Sequence, residues 1–386
     1  MVLDVAPAAR IGAPRRDIQR ERLMMRAFQN PILGPLLRRF GGPQDILQMG
    51  MSFWSSRLVL SAVDSGLFTE LANGPRFEQE LADALGWHPR AAGTAFDALV
   101  AARLLRRDRA GRYTNTIRSA VFLDRAKPSY AGGLMELSSK RLYDLWSGLD
   151  DLLRTGRPGA QEERGDNEFF ATMYRDPLAL KAFLTGMTGI STGEAMLLAA
   201  RFPWQRFRTF ADIGCAQGAL PVRVALSHRH LRGTGFDFPV VGPIFREYVT
   251  SFGLENRLSF VAGDFLEVPL PRADVISFGH VFHGRNRRIR QELVAKAYAA
   301  APAGGAVIVY DAMIRPGLGQ SRHNYQSLLS SLNIMLESRE GYESSTTACA
   351  DLLRAGGFTR VKVRHLIGPT SAVFGYKPGR LPPIDG

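Results

Sequence analysis

The stretch from Arg208 to Ile314 constrains this chain more than any other. It opens on the short apolar run Phe210–Ile213, which stops at the small-residue turn Gly214-Cys215-Ala216-Gln217-Gly218 and continues as a helix-compatible segment, Leu220 to Ser227. Small residues after a strand let the backbone approach a ligand closely, with a helix N-terminus behind it. A second strand, Gly235-Phe236-Asp237, ends on an acid 23 residues beyond Gly214. An acid roughly twenty residues past such a turn is placed to accept hydrogen bonds from ribose hydroxyls. Three further strand-like runs follow, each ending in a polar or glycine-bearing loop: VAGDF, DVISFGHVFHGRN and GAVIVYDAMI. The order predicts an α/β nucleoside-binding domain with a mostly parallel sheet. Ala216 replaces the middle glycine of a dinucleotide fingerprint, and no Lys-Ser/Thr follows the turn, which excludes a phosphate-gripping P-loop.

These motifs, in this order, resemble the class I S-adenosylmethionine-dependent methyltransferases. More narrowly they resemble the small-molecule O-methyltransferases that include plant caffeate-type, animal acetylserotonin and bacterial polyketide and phenazine enzymes. The resemblance runs from about Gln44 to Lys377. It implies a Rossmann-like class I methyltransferase domain with a seven-stranded, mostly parallel sheet, preceded by a mainly helical winged-helix dimerisation domain. The domains expected are a basic, weakly ordered arm (1–42), the winged-helix domain (43–120), pocket-forming helices (121–204) and the catalytic domain (205–380). It further implies S-adenosylmethionine as cofactor, a homodimer, no specific nucleic acid and no metal.

Mapped onto this chain, the family motifs set Asp212 and Gly214 beside the methionyl part of the donor and Asp237 on its ribose. Asp264 and Phe265 take the adenine, and Gly279 offers its backbone alone where the family often has a lysine. His283, four residues beyond Gly279, matches the family's general base. An imidazole near pKa 6.5 suits proton removal from a phenol near 10. Asp311 and Glu343 are the carboxylates expected to orient it, and His280, expected one helical turn earlier, is the fallback base. Phe183, Met187, Asn333, Met335 and Leu336 are expected to shape the acceptor pocket.

One departure matters. The family's His-Asp-Trp reads His283-Gly284-Arg285 here, followed by Asn286-Arg287-Arg288-Ile289-Arg290. Arg285 could grip an anionic acceptor, while the basic run could simply be a solvated helix face. The change also admits C- or N-methylation, or a member that binds the donor without transferring its methyl.

Upstream, Gln44–Leu71 predicts two helices broken at Gly66. Arg76–Leu85 and Pro89–Leu104 predict a helical pair, and Arg106–Thr116 a small hairpin. Helix, turn, helix and hairpin also fit a DNA-binding regulator with a donor sensor. His88, Arg90, Ala92 and Thr94 would then read bases, but they are mixed rather than rich in Arg, Asn and Gln. From Phe122 to Ala200 a helical pattern is expected throughout, broken at Thr155–Asn167, with Phe169, Phe170 and Met173 among its apolar residues.

Composition supports a full hydrophobic core, with 45% hydrophobic residues and an ordinary 22% charged over 386. The net charge of +13 owes much to Arg10, Arg15, Arg16, Arg20, Arg22, Arg26, Arg38 and Arg39, in the expected arm. Two cysteines, Cys215 and Cys349, cannot build a disulfide framework. No apolar run has the length of a membrane span and no signal-peptide core opens the chain, so a cytoplasmic protein is expected.

Overall fold

The computed structural model describes residues 43–127, 129–158, 174–317 and 322–380. The expected N-terminal arm, Phe169, Phe170, Met173 and most of the polar break lie outside them. The chain divides into two compact units after Val59, within the segment expected as one domain from 43 to 120. The first holds helix α1 (Pro43–Gly50) and the start of α2 (Ser52–Asp64). The helical pattern is interrupted at Met51 as well as at Gly66, whose φ of 77° only glycine adopts freely.

In the second unit α3 (Glu78–Leu85) and α4 (Pro89–Ala101) lead into an antiparallel pair, β1 (Leu105–Arg107) and β2 (Tyr113–Asn115). His88 caps α4, its Nδ1 accepting from the Arg90 N–H at 3.2 Å, and Ala92 is fully buried. Two of the four positions expected to read bases are therefore committed to the fold. The stretch after Phe122 is not continuously helical. It turns through short α, π and 3-10 segments from Gly133 to Thr155 before the long helix α5 (Pro177–Arg201).

The main sheet contains β3 (Thr209–Ile213), β4 (Arg232–Asp237), β5 (Leu258–Ala262), β6 (Val275–Gly279), β7 (Ala306–Ala312), β8 (Thr359–Ile367) and β9 (Thr370–Tyr376). Their order is β5-β4-β3-β6-β7-β9-β8. The first five are parallel, and β9 runs antiparallel to both β7 and β8. Helices α6 (Ala219–Ser227), α7 (Gly242–Thr250), α8 (Arg287–Ala300), α9 (Arg322–Glu337) and α10 (Thr346–Ala355) complete the layers. The last helix is capped by Ser345, whose hydroxyl accepts from the Ala348 N–H at 3.0 Å.

A parallel sheet covered on both faces needs strands buried on both sides. All seven residues of β7 are buried, and cores form on the two sheet faces around Trp204, Phe210 and Phe374, and around Phe236, Phe278 and Phe358. The register aligns Ile213 with Phe236 and Phe278, and Phe278 with Val309. Strands β3, β4, β6 and β7 therefore finish together. Gly214, Asp237, Gly279 and Asp311 all emerge at one carboxyl edge, where ligands of open α/β sheets bind.

Candidate functional site

The turn after β3 is shaped by three left-handed residues: Gly214 (φ 71°), Ala216 (φ 49°) and Gly218 (φ 100°). Gly214 also needs its missing side chain, since a Cβ there would lie 2.8 Å from Val281. Ala216 adopts with some strain the conformation glycine adopts freely. Its N–H donates to Asp237 Oδ2 at 2.9 Å, and Phe238 N–H donates to Asp237 Oδ1 at 2.8 Å. The acid at the end of β4 thus holds the turn of β3.

Asp212 accepts from the Ser277 hydroxyl at 2.7 Å. Burial raises Asp212 to about 7, against the Ser277 hydrogen bond, and raises Asp237 to about 6 despite its two N–H donors. Among the described residues no basic side chain contributes to either shift. Two desolvated carboxylates without a cationic partner suit a ligand that brings hydroxyls and positive charge of its own.

Beyond β5, Asp264 Oδ1 accepts from the Leu266 N–H at 2.8 Å, and Phe265 is 8% exposed. Lys296 of α8 pins this loop from beneath, donating to the carbonyls of Phe265, Leu266 and Val268 at 2.7, 2.7 and 3.1 Å. The Arg285 guanidinium lies over the Phe265 ring, 5.5 Å from its centroid. Phe183 packs against the buried cluster of Leu180, Leu184, Val241 and Ile244, as do Ala216, Phe238 and Tyr174, and Met187 sits half-buried one helical turn further along α5.

At Gly279 a Cβ would fall 2.1 Å from the Tyr310 ring. Tyrosine occupies the space that a larger residue would need, so the position tolerates only a backbone contact. The next residues form a bent loop rather than a helix, with His280 at φ 54°. The expected helical spacing of the two histidines is therefore wrong, and the loop brings them together by another route, their ring centroids 6.0 Å apart.

His283 Nδ1 sits 2.8 Å from Asp311 Oδ1 and 3.4 Å from Glu343 Oε1. Asp311 Oδ2 also accepts from the His283 N–H at 3.1 Å, so one carboxylate fixes both ring and backbone. Ser330 of α9 donates to Glu343 at 2.7 Å and Ser331 accepts from the Glu343 N–H at 3.2 Å. His280 is held differently, with Nε2 2.7 Å from Glu194 and Nδ1 3.4 Å from Asp311. Thr370 Oγ1 donates to the other Glu194 oxygen.

Burial alone would lower both imidazoles. The Asp311 and Glu343 carboxylates instead carry His283 up to about 10, and Glu194 with Asp311 carry His280 well above its ordinary value. Burial pushes Asp311 up, but the two imidazoles hold it well below the usual carboxylate range. Burial and Asp311 raise Glu343. His280, His283 and Asp311 could also present ligand atoms within 4.8 Å of one another. Their close His–carboxylate contacts account for the arrangement as ion pairs.

The run after His283 is not a uniformly solvated face. Arg288 pairs with Glu292 in solvent, whereas Arg290 is 3% exposed. It donates to the carbonyls of Arg285 (2.7 Å), Tyr342 (2.7 Å) and His283 (3.5 Å), and lies 4.2 Å from the Tyr342 ring centroid. Arg290 thus ties the histidine loop to the Glu343 loop. Its place was readable, because Arg290 falls at helical spacing with the buried Leu293, Val294 and Ala297. Glu194 had a signal too, as the single acid of the 25-residue α5.

On α9, Asn333 accepts from Trp146 Nε1 at 2.9 Å and donates to Glu337 at 2.5 Å, and Arg141 pairs with Glu337 at 3.1 Å. Met335 is half-buried and Leu336 buried on the same helix. Ile334 packs at Gly341, which also abuts the His283 carbonyl, so α9 adjoins the histidine loop.

Known proteins resemble this chain in sequence and fold. The sequence profile of the O-methyltransferase domain family matches residues 146–359. The tetracenomycin polyketide synthesis 8-O-methyl transferase TcmO of Streptomyces glaucescens is 40% identical over 337 residues, covering 87% of this chain and 97% of TcmO. The N,N-dimethyltransferase OxyT of Streptomyces rimosus is 37% identical over 273 residues, or 71% of this chain and 79% of OxyT. Among solved structures, human N-acetylserotonin methyltransferase in complex with SAM superposes with a TM-score of 0.78 at 24% identity, covering 87% of this chain and 97% of that one. No described helix is long and apolar enough to cross a membrane.

Proposed function

The chain belongs to the O-methyltransferase domain family, and we propose that it methylates a hydroxyl of a small aromatic metabolite, with S-adenosylmethionine as donor and His283 as general base. One observation carries the assignment of the base: His283 Nδ1 lies 2.8 and 3.4 Å from two carboxylates, and among the described residues no carboxylate pairs with Nε2. In His280 both ring nitrogens face carboxylates, and its side chain is 13% exposed against 20% for His283.

The donor supplies an electrophilic methyl on a sulfonium. Asp212 and Gly214 would border its methionyl part and Asp237 its ribose hydroxyls, while Asp264 and Phe265 would take the adenine and Gly279 a backbone contact. The raised values of Asp212 and Asp237 favour this use, since each gains from a ligand cation or donor. The acceptor's hydroxyl, with a pKa near 10, attacks poorly at neutral pH. His283 Nε2 accepts its proton as the O–C bond forms and the C–S bond breaks. Asp311 and Glu343 keep the ring oriented and stabilise the imidazolium. A positioned base of this kind contributes about 10²–10⁴ in rate.

Phe183, Met187, Asn333 and Met335 are assigned to the pocket walls. Arg285 is placed with the donor rather than the acceptor, because its guanidinium faces Phe265. The helical segments before residue 120 are read as a homodimerisation region. Ile46, Leu47, Met49 and Trp54 are all more than 60% exposed, an apolar set a second copy could cover, and neither His88 nor Ala92 is available to read bases.

The 37% identity to an N,N-dimethyltransferase favours a second reading, transfer to an amine. Methyl-labelled donor, offered with matched phenolic and amino aromatic acceptors, separates the two. Label on oxygen, lost in His283→Ala, supports the O-transfer reading; label on nitrogen alone overturns it.

A further inference from the structure

Two histidines share one carboxylate oxygen at the sheet edge, and only one of them is required by the mechanism. His283 and His280 approach Asp311 Oδ1 at 2.8 and 3.4 Å, and the second is clamped from the far side by Glu194. We propose that His280 is a positioning residue: held as a cation by Glu194, it competes with His283 for Asp311 and so weakens the hold of His283 on a proton relative to what Asp311 and Glu343 alone would impose. The inference rests on the reading of His283 as the base.

The cluster is otherwise poorly set for a base. Asp311 from β7 and Glu343 from the loop after α9 both bear on His283, and each favours its protonated form. A base already carrying its proton cannot take another. The remaining groups around the pair are few. Arg290 of α8 acts on Asp311 and Glu343 with its charge intact, but its N–H groups donate to the carbonyls of Arg285 and Tyr342 and it makes no ion pair with Asp311 at the His283 ring. Tyr310 of β7 lies 5.6 Å from the His280 ring, and burial with Asp212, Glu194 and Asp311 nearby keeps its phenol neutral. Thr370 of β9 supplies a hydroxyl to Glu194. Among the described residues that leaves His280 as the cation able to offset Asp311 at the ring of His283.

Two unit charges about 6 Å apart, at an effective dielectric near 20, shift a proton affinity on the order of one to two pH units. Both imidazoles are raised, and competition for Asp311 requires that His280 stay charged while His283 titrates. His280 neither gains nor loses a proton in turnover. The acceptor's proton goes to His283 Nε2, and the sulfur keeps the electron pair of the broken C–S bond.

A burial argument points the same way. Glu194 is a desolvated acid on an apolar helix, and burying an ion pair is seldom favourable for its own sake. Its carboxylate closes on His280 and on Thr370 of β9.

The test is the pH dependence of kcat for the wild type, His280→Gln, His280→Lys and His283→Ala. In His280→Gln the acidic limb is expected to move up by one to two pH units, so that the rate falls ten- to hundred-fold at neutral pH and recovers at high pH. His280→Lys, which keeps a cation, is expected to return the limb toward the wild type. A His280→Gln profile that superimposes on the wild type, or is depressed equally at every pH, overturns the inference. Retained turnover in His283→Ala refutes the base assignment instead, a separable result. Imidazole NMR titration of the unmodified enzyme needs no variant: His280 is expected to stay protonated through the midpoint of His283, and a neutral His280 at that point overturns the proposal.

Discussion

The two halves of the carboxyl edge use the same residue type in opposite ways. On the β3–β4 side, Asp212 and Asp237 are satisfied by a hydroxyl and by backbone N–H groups, and burial raises both. On the β6–β7 side, Asp311 faces two imidazoles and is held well below the carboxylate range. The first half has an unmet demand for positive charge that a ligand can supply. The second has met that demand internally, so it can hold and move a proton. On the proposed reading, binding and proton transfer are thereby divided between neighbouring strand ends.

Removing a carboxylate on each side should separate the halves. Asp311→Asn is expected to have the largest effect. It strips a buried partner from two imidazoles and loosens the His283 N–H, so kcat should fall by about 10²–10⁴ and stability by roughly 3–5 kcal/mol. Denaturant unfolding beside turnover checks both, and a stable, active variant would break the comparison. Asp237→Asn should instead weaken donor affinity by on the order of ten- to a hundredfold, the worth of a hydrogen bond to a charged group, with the rate at saturating donor little changed. Calorimetric titration reads this directly, and an unchanged affinity would remove Asp237 from the binding half.

The protonation difference predicts a pH signature without ligand. His283 has a folded value near 10, above its unfolded value near 6.5. The stability it contributes is therefore fully present below about pH 6.5 and is lost as pH rises toward 10, by on the order of a few kcal/mol. His283→Gln should flatten that limb of the melting-temperature curve relative to the wild type, and parallel curves would contradict the pairing. The smallest effect belongs to Arg285→Ala. An accessible cation–π contact is worth about 0.5–1 kcal/mol, so the donor KM should rise only a few-fold and the acceptor KM stay put. A change confined to the acceptor KM would return Arg285 to the acceptor side.

The same contrast explains what the sequence disclosed. The binding half is contiguous: a strand, a glycine turn and an acid one strand later recur at spacings set by the βαβ unit, and Gly214 and Asp237 were singled out that way, whereas Asp264 came from the family resemblance. The His283–Asp311–Glu343 grouping could be named only through family resemblance, because its members come from three segments that the fold alone unites. Glu194 and Arg290 were missed for that reason, although each left a mark. One is a lone acid on an apolar helix; the other is a cation in register with a core stripe. The loop bend at His280 had no such mark, since its positive φ is imposed by tertiary packing and not by glycine. The position of Arg285 over Phe265 likewise depends on how the loops after β5 and β6 fold toward each other.

The central claim is that His283 acts in proton transfer and not in holding the donor. The most direct test compares donor affinity and single-turnover rate for the wild type and His283→Ala. Donor affinity within about two-fold, with a rate lower by about 10²–10⁴, is the result expected. Loss of donor binding in step with rate, or a rate near that of the wild type, would contradict the account.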